Sequence, residues 1–359
     1  MNAERKIRVL VVDDSAMVRS ILARGLESDP SIEVVGTAAD PYQARDKLVE
    51  LEPDVMTLDV EMPKMDGITF LRRVMTFVPT PTIVLSSIAR SGEQVVLDAL
   101  EAGAVDVVLK PSTGIASNLD AMLSSLVEKV KVAANAKVFK RAEVRRPVKA
   151  RAAPTRLETT DTVIGIGAST GGVAALNRIL PLFPAGAPGI VIVQHMPAGF
   201  TQKFAERLDE TCALRVREAR NGDRIVAGHV LVAPGGDRHL EVRRHGGEYR
   251  VHLVEGPLVS GHCPSVDHFF ASLAREVGPR AAACILTGMG RDGAEGLLAL
   301  RAAGGHTFAQ DQATSAVFGM PAAALQIGAV DAGTPLDDLP AALLRSVEAS
   351  APHRLASER

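Results

Sequence analysis

The sequence has no tryptophan, only 3% aromatic residues and three cysteines among 359 residues. Because the cysteines form no Cys-x-x-Cys pair, they argue against a disulfide framework or a thiolate metal site and indicate a reducing compartment. The formal net charge is −2, so the chain has no overall positive charge that would attract nucleic acid. No segment has the apolar length of a membrane span, and no signal peptide is recognisable. We expect a cytoplasmic protein with no nucleic-acid partner and no direct membrane insertion.

The first third of the chain alternates short apolar runs with amphipathic segments, the pattern of a parallel sheet covered on both faces by helices. The predicted strands are Ile7–Val12, Val34–Thr37, Val55–Leu58, Ile83–Leu85 and Val105–Leu109. Residues 137–156 then contain eight Lys or Arg and one acidic residue, Glu143. A solvated interdomain tether explains this composition better than a nucleic-acid arm.

Strands and helices resume at Thr162, so a second α/β domain with a mainly parallel sheet is predicted. Its predicted strands are Val163–Ile166, Ile190–Val193, Val230–Val232, Cys284–Leu286 and His306–Ala309. A β-hairpin is predicted within Glu241–Val254, around the Gly-Gly pair that follows His245. We predict a first domain over residues 1–130, a linker over 131–158 and a second domain over 159–359.

Charged and polar residues stand at the ends of four strands of the first domain: Asp13 and Asp14, Asp59, Ser86, and Lys110. Each alone is explained as a loop residue or helix cap, but open parallel sheets bind ligands at the carboxyl ends of their strands. Three carboxylates at one edge suit Mg²⁺, and a lysine and a hydroxyl beside it suit a phosphoryl group. The pattern predicts phosphoryl transfer to Asp59.

Asp13 and Asp14 stand in the motif Val11–Ser15, and Asp59 begins the motif Asp59–Gly67. With these motifs, Ser86 and the Lys110-Pro111 pair, residues 6–126 resemble the response-regulator receiver family. The resemblance implies a flavodoxin-like fold, a histidine kinase as phosphodonor and Mg²⁺ as cofactor. It implies Asp59 as phosphoacceptor, Ser86 and Lys110 as contacts of the phosphoryl group, and Asp13, Asp14, Asp59 and the carbonyl of Glu61 as metal ligands. Val107 stands where many receivers carry an aromatic switch residue.

A second group of candidate site residues begins with a serine on a glycine-rich turn between a predicted strand and a predicted helix. Ser169 has the Gly-x-Ser-x-Gly spacing of a nucleophile elbow. His195 follows the next strand, and Asp292 follows the strand that begins at Cys284, so all three are expected at one edge of the sheet as nucleophile, base and carboxylate. Asp311 also follows a strand, and the residues alone leave it open as the carboxylate.

The amides of Thr170 and Met289 are the predicted oxyanion donors. The glycines of this turn also allow a dinucleotide-binding loop, but the next strand ends in Gln194 and His195 without the carboxylate that would hold a ribose. The order Ser, His, Asp differs from that of α/β-hydrolases, which indicates a serine hydrolase on another α/β scaffold. A receiver fused to a DNA-binding module is the remaining alternative.

The whole chain resembles the CheB-type protein-glutamate methylesterases. The motifs that carry this resemblance are Gly165–Gly172, Gln194–Pro197, Ala233–Gly236, Pro264–Asp267 and Leu286–Ala294. The resemblance implies Ser169, His195 and Asp292 as the triad, and therefore Asp292 over Asp311. It implies hydrolysis of γ-glutamyl methyl esters on chemoreceptor cytoplasmic helices, deamidation of certain receptor glutamines, and relief of receiver inhibition by phosphorylation. Cys263 stands where relatives commonly have arginine.

Overall fold

The computed structural model describes residues 5–111, 116–138 and 162–350. The chain divides into two units, Met1–Arg145 and Arg146–Arg359. Most of the predicted linker, residues 139–158, lies outside the described residues. None of the described helices combines the length and the apolar character needed to cross a bilayer.

The first unit is a five-stranded parallel sheet with helices between its strands, as predicted. Its strands are β1 (Ile7–Val12), β2 (Ile32–Ala38), β3 (Val55–Asp59), β4 (Thr82–Ser86) and β5 (Asp106–Leu109). Its helices are α1 (Ala16–Glu27), α2 (Pro41–Leu51), α3 (Gly67–Phe77), α4 (Ile88–Ala102) and α5 (Ala116–Ala133). The strand order is β2-β1-β3-β4-β5. This order is the flavodoxin-like one, and it puts β1 and β3 side by side at the centre.

Side-chain caps fix where the helices of this unit begin. The hydroxyl of Ser15 accepts from the Val18 amide at the start of α1, and Asp40 and Asp66 cap α2 and α3 in the same way. A cap of this kind satisfies an amide that has no partner inside the helix. Ser15 rather than Asp14 therefore caps α1, which leaves Asp14 exposed at the strand end.

The second unit is a seven-stranded parallel sheet with a separate two-stranded hairpin. The sheet contains β6 (Val163–Ala168), β7 (Gly189–Gln194), β8 (Arg215–Glu218), β9 (His229–Val232), β12 (Ala281–Ile285), β13 (His306–Gln310) and β14 (Gly333–Thr334). The hairpin is β10 (Arg238–His245) with β11 (Glu248–Glu255). The sheet order is β14-β13-β12-β6-β7-β9-β8, and all its pairings are parallel. The prediction of a mainly parallel sheet with a hairpin is confirmed.

Helices connect the strands of this unit and cover the sheet. They are α6 (Gly172–Ile179), α7 (Phe200–Thr211), α8 (Val266–Glu276), α9 (Ala294–Ala302), α10 (Met320–Gln326) and α11 (Leu339–Ser350). The hairpin packs on α8, where the Val242 amide donates to Ser272 Oγ over 2.9 Å. Neither β8 nor β14 was predicted, because β8 buries only Val216 of its four residues and β14 has two residues.

Candidate functional site

Three adjacent strands of the second unit, β12, β6 and β7, deliver the predicted catalytic residues to one edge of the sheet. Ser169 follows β6 directly and His195 follows β7 directly. The Ser169 amide donates to the Thr287 carbonyl over 3.1 Å, and the His195 amide donates to Ala168 over 3.0 Å. These bonds tie the three loops together beyond the last strand pairings, so the loops share one rigid base.

Asp292 is a buried carboxylate, 1% exposed, that forms hydrogen bonds with four donors. Its Oδ1 accepts from Ser265 Oγ over 2.7 Å and from the Asp267 amide over 3.0 Å. Its Oδ2 accepts from the Val266 amide over 2.8 Å and pairs with His195 Nε2 over 2.8 Å. Burial alone would raise the pKa of Asp292, but these hydrogen bonds outweigh it and lower the pKa. Asp292 therefore carries a fixed negative charge.

His195 uses one ring nitrogen for Asp292 and keeps the other unpaired. Because the carboxylate accepts, we assign the proton to Nε2, and Nδ1 becomes the basic nitrogen. Nδ1 is buried and has no hydrogen-bond partner among the described residues. A buried nitrogen without a partner is unusual in a folded protein, and functional groups are a common reason for it.

Ser169 is held through its backbone, which leaves its side chain available. Its carbonyl accepts from the Gly172 amide over 2.8 Å and from Gln194 Nε2 over 3.0 Å. No hydrogen bond joins its hydroxyl to His195 in the described part of the chain, which is common for catalytic pairs without substrate. Gly288 is the close neighbour: a Cβ there would lie 2.8 Å from Ser169 Cβ.

The two predicted oxyanion donors belong to different loops: Thr170 follows Ser169, and Met289 follows Gly288, the close neighbour of Ser169. Thr170 precedes Gly171, which has φ +79° and caps α6. The Thr170 carbonyl accepts from Thr287 Oγ1 over 2.9 Å, which fixes this turn. The Met289 amide has no hydrogen-bond partner among the described residues, and the Met289 side chain is 37% exposed. The positive end of the α6 dipole also faces this turn, where negative charge is stabilised.

Asp311, the alternative carboxylate, has a different role. Its Oδ1 accepts from the amide and the hydroxyl of Thr314, over 2.9 and 2.5 Å, so it closes the turn after β13. The structure brings Asp292, not Asp311, to His195.

The first unit gathers its predicted residues at the carboxyl ends of β1, β3 and β5. Carboxylate oxygens of Asp13, Asp14 and Asp59 lie within 4.8 Å of one another. Lys110 Nζ lies 2.8 Å from Asp13 Oδ2 and 2.8 Å from Asp59 Oδ2. The Glu61 amide donates to Asp59 Oδ1 over 3.2 Å, which orients that carboxylate. These residues are therefore neighbours, as the strand-end pattern predicts.

The electrostatics of this cluster favour a cation. Burial, and then the charge of Asp13, raise the pKa of Asp59 against the opposing effect of Lys110. Burial works against the charge of Lys110, but its bonds to Asp13 and Asp59 dominate and raise its pKa. Ser86 Oγ is buried and has no partner among the described residues, so it is a free donor beside Asp59's strand. Hard carboxylate oxygens with one exposed member fit Mg²⁺ with its waters.

Comparisons with known proteins identify the families that both parts of the chain match. A family model described as CheB methylesterase matches residues 164–343, and one described as response regulator receiver domain matches residues 9–123. A protein-glutamate methylesterase/protein-glutamine glutaminase of Syntrophotalea carbinolica is 55% identical over 93% of this chain and 96% of its own. A second, of Cereibacter sphaeroides, is 53% identical over 96% of this chain and 93% of its own.

The chain belongs to the CheB methylesterase family.

A solved structure supports the same membership. The crystal structure of the Thermotoga maritima CheB methylesterase catalytic domain has 38% sequence identity and a TM-score of 0.50, and it covers 51% of this chain and 97% of that domain. The methylesterase is thus an enzyme, a hydrolase joined to a response-regulator receiver. The predictions of family, fold class and enzyme class are confirmed. Membership of the CheB methylesterase family favours a hydrolase over a DNA-binding protein or a dinucleotide-binding enzyme.

Sequence reasoning missed several residues that shape the methylesterase site. Ser265 and the two amides after it hold Asp292, although they lie about 26 residues earlier in the chain. Gln194, to which the sequence assigned no role in the site, donates to the carbonyls of Ser169 and His195. His262, which no sequence pattern singled out, stacks on His195. The Pro264–Asp267 motif was noted, but no pattern in it showed which carboxylate it would hold.

Proposed function

We propose that this methylesterase hydrolyses γ-glutamyl methyl esters on chemoreceptor cytoplasmic helices, deamidates specific receptor glutamines, and so takes part in chemotaxis adaptation. The proposed triad is Ser169, His195 and Asp292. One observation supports it above the others: the 2.8 Å bond from His195 Nε2 to buried Asp292 leaves Nδ1 unpaired at the edge of the sheet that carries Ser169.

The chemistry follows the roles of these three side chains. Ser169 Oγ attacks the ester carbonyl while His195 Nδ1 accepts its proton, and Asp292 stabilises the resulting imidazolium. The oxyanion receives hydrogen bonds from the Thr170 and Met289 amides. His195 then gives the proton to the departing methoxide, so methanol leaves and an acyl-enzyme remains. Water, deprotonated by His195, releases the glutamate carboxyl group; with a glutamine substrate the first leaving group is ammonia.

We further propose that a histidine kinase phosphorylates Asp59 and that this activates the hydrolase. Asp13, Asp14, Asp59 and the Glu61 carbonyl would hold Mg²⁺, whose charge would offset that of the transferred phosphoryl group. Lys110 is placed to pair with the phosphoryl oxygens, and the Ser86 hydroxyl to donate to one of them. In this proposal the receiver domain spans residues 1–130, the linker spans residues 131–158 and the catalytic domain spans residues 159–359.

Methanol release from a methylated receptor fragment tests the hydrolase. We expect Ser169→Ala to lower kcat by about 10⁴-fold or more while the protein stays folded, because only one hydroxyl is removed. Ser346→Ala, which removes a hydroxyl from α11, serves as the matched control and should behave as wild type. Activity of Ser169→Ala within about tenfold of wild type would refute the assignment.

A further inference from the structure

The ring of His262 lies flat on the ring of His195. The two centroids are 3.7 Å apart, and the planes differ by 14°. The His262 ring makes no hydrogen bond among the described residues, so this stacking is its main directional contact. His262 is half-buried, and neither composition nor spacing distinguishes it from the other histidines of the chain.

The backbone holds His262 in this place through a tight turn. Val259 and His262 exchange two backbone hydrogen bonds, of 3.1 and 2.9 Å. Between them, Ser260 and Gly261 have φ of +51° and +81°, the left-handed conformations of a two-residue hairpin turn. Ser260 Oγ also donates to Asp267 Oδ2 over 2.8 Å, which closes the turn against the next stretch of chain.

This one segment, residues 259–267, contacts both partners of the proposed charge pair. Its far end supplies Ser265 Oγ and the amides of Val266 and Asp267 to Asp292. Its near end supplies the ring that covers His195. The carboxylate fixes one nitrogen of His195, but a single hydrogen bond leaves the tilt of the ring about that bond undetermined. A flat ring on one face removes that freedom.

The charge of His262 suits this position. Burial, and then the charge of His195, lower the pKa of His262, while Asp292 opposes them. Histidine with a lowered pKa is neutral at pH 7. A neutral aromatic ring stabilises an adjacent cation, whereas a second imidazolium would repel it. The His195 imidazolium formed during hydrolysis is therefore better accommodated beside a neutral His262.

We propose that His262 is a positioning residue of the hydrolase site: its ring holds the plane of His195 so that Nε2 stays on Asp292 and Nδ1 stays available to Ser169. The inference rests on the triad proposed above, and it gives that triad a fourth residue which touches no substrate. It predicts that an apolar aromatic ring can replace His262 and that a small side chain cannot.

The test compares two substitutions in the full-length protein with methanol release as the assay. We expect His262→Ala to lower kcat by about tenfold or more, since a loosened His195 misaligns the proton transfer, while KM changes by less than about twofold. We expect His262→Phe to keep kcat within about threefold of wild type, because stacking is retained without a titratable group. His229→Ala is the matched control and should keep wild-type kcat, because the His229 ring lies at the start of β9 and bonds the Ala227 carbonyl over 3.1 Å.

A second readout separates positioning from general loss of structure. Nitrogen NMR of the His195 ring should show a single tautomer, protonated at Nε2, in wild type and His262→Phe, and exchange between tautomers in His262→Ala. Wild-type kcat in His262→Ala would overturn the proposal, and so would a folded His262→Phe that is as slow as His262→Ala. If His262→Ala does not fold, His262→Phe alone tests the proposal. A kcat within about threefold of wild type and a single Nε2-protonated tautomer would support it, and a slow, folded variant with exchanging tautomers would overturn it. Failure of these variants leaves the triad intact, because Ser169→Ala tests the triad separately.

Discussion

Replacing Asp292 by asparagine is the perturbation whose consequences the structure defines most sharply. Four donors form hydrogen bonds with the carboxylate: the Val266 and Asp267 amides, Ser265 Oγ and His195 Nε2. The new NH₂ group must face one of the two pairs. On the Oδ2 side the NH₂ group faces the Val266 amide, so two donors face each other. There it also donates to His195 Nε2, which forces His195 to the tautomer protonated at Nδ1. On the Oδ1 side it meets the Asp267 amide.

Either orientation leaves one buried backbone N–H without an acceptor, at a cost of about 1–3 kcal/mol. A loss of about 1 kcal/mol lowers Tm by about 2–4 °C in a domain of this size. Activity should fall much further. With the NH₂ on the Oδ2 side the wrong tautomer removes the base, and in either orientation the loss of the charge leaves the imidazolium unsupported. The same substitution lowers kcat by about 10⁴-fold in a comparable triad.

The assay is methanol release together with thermal unfolding, for Asp292→Asn and for Asp311→Asn as the matched control. Asp311 closes a turn through Thr314, so its substitution should change Tm without a comparable loss of kcat. Unchanged kinetics of Asp292→Asn, or a larger loss of kcat in Asp311→Asn, would refute the reasoning and restore Asp311 as the carboxylate.

The same pair gives a pH dependence with a definite sign. The folded protein lowers the pKa of Asp292 below its ordinary value of 3.8. A carboxylate of this kind contributes stability that is fully present above its unfolded pKa and is lost as pH falls through the folded pKa. The stability that wild type holds over Asp292→Asn at neutral pH should therefore be lost only as pH falls below about 4. A difference that disappears between pH 7 and 6 would contradict this.

Three further results are expected. Asp59→Asn should take up no phosphoryl group from a small phosphodonor with Mg²⁺, whereas wild type takes up one by intact mass; equal labelling would remove Asp59 as acceptor. The phosphodonor should speed methanol release by wild type and leave Asp59→Asn unchanged, and equal stimulation of both would contradict control through Asp59. Gly288→Ala should cost about 1–3 kcal/mol and at least about tenfold in kcat, because its Cβ would lie 2.2 Å from Met320 Sδ and 2.8 Å from Ser169 Cβ; Gly186→Ala, with nothing within 4 Å, is the control, and similar losses in both would contradict crowding.

In both sites, the residues that directly follow strands could be predicted from the sequence. Continuous apolar runs mark buried parallel strands, and side chains directly after them share one edge of the sheet, which is why Asp59 and Lys110 were expected together and are found 2.8 Å apart. The same reasoning placed Ser169 and His195 in neighbouring loops.

What the sequence could not reveal depends on contacts between distant segments. Asp292 and Asp311 both follow strands, so the strand-end pattern alone could not decide between them. In the structure, Ser265 Oγ and the amides of Val266 and Asp267 surround Asp292 with donors. The stacking of His262 on His195 has no periodic signature at all. Strand β8 was missed because one buried side chain, Val216, gives no alternation to detect.

Covalent labelling by a small fluorophosphonate tests the central claim most directly, because it reports which side chain is the activated nucleophile without requiring the receptor substrate. The account predicts one phosphonyl group per chain, mapped by peptide mass spectrometry to Ser169, and labelling slower by about 10³-fold or more in His195→Gln. A label on another residue, or equally fast labelling of Ser169 in wild type and His195→Gln, would contradict a serine activated by His195 and Asp292.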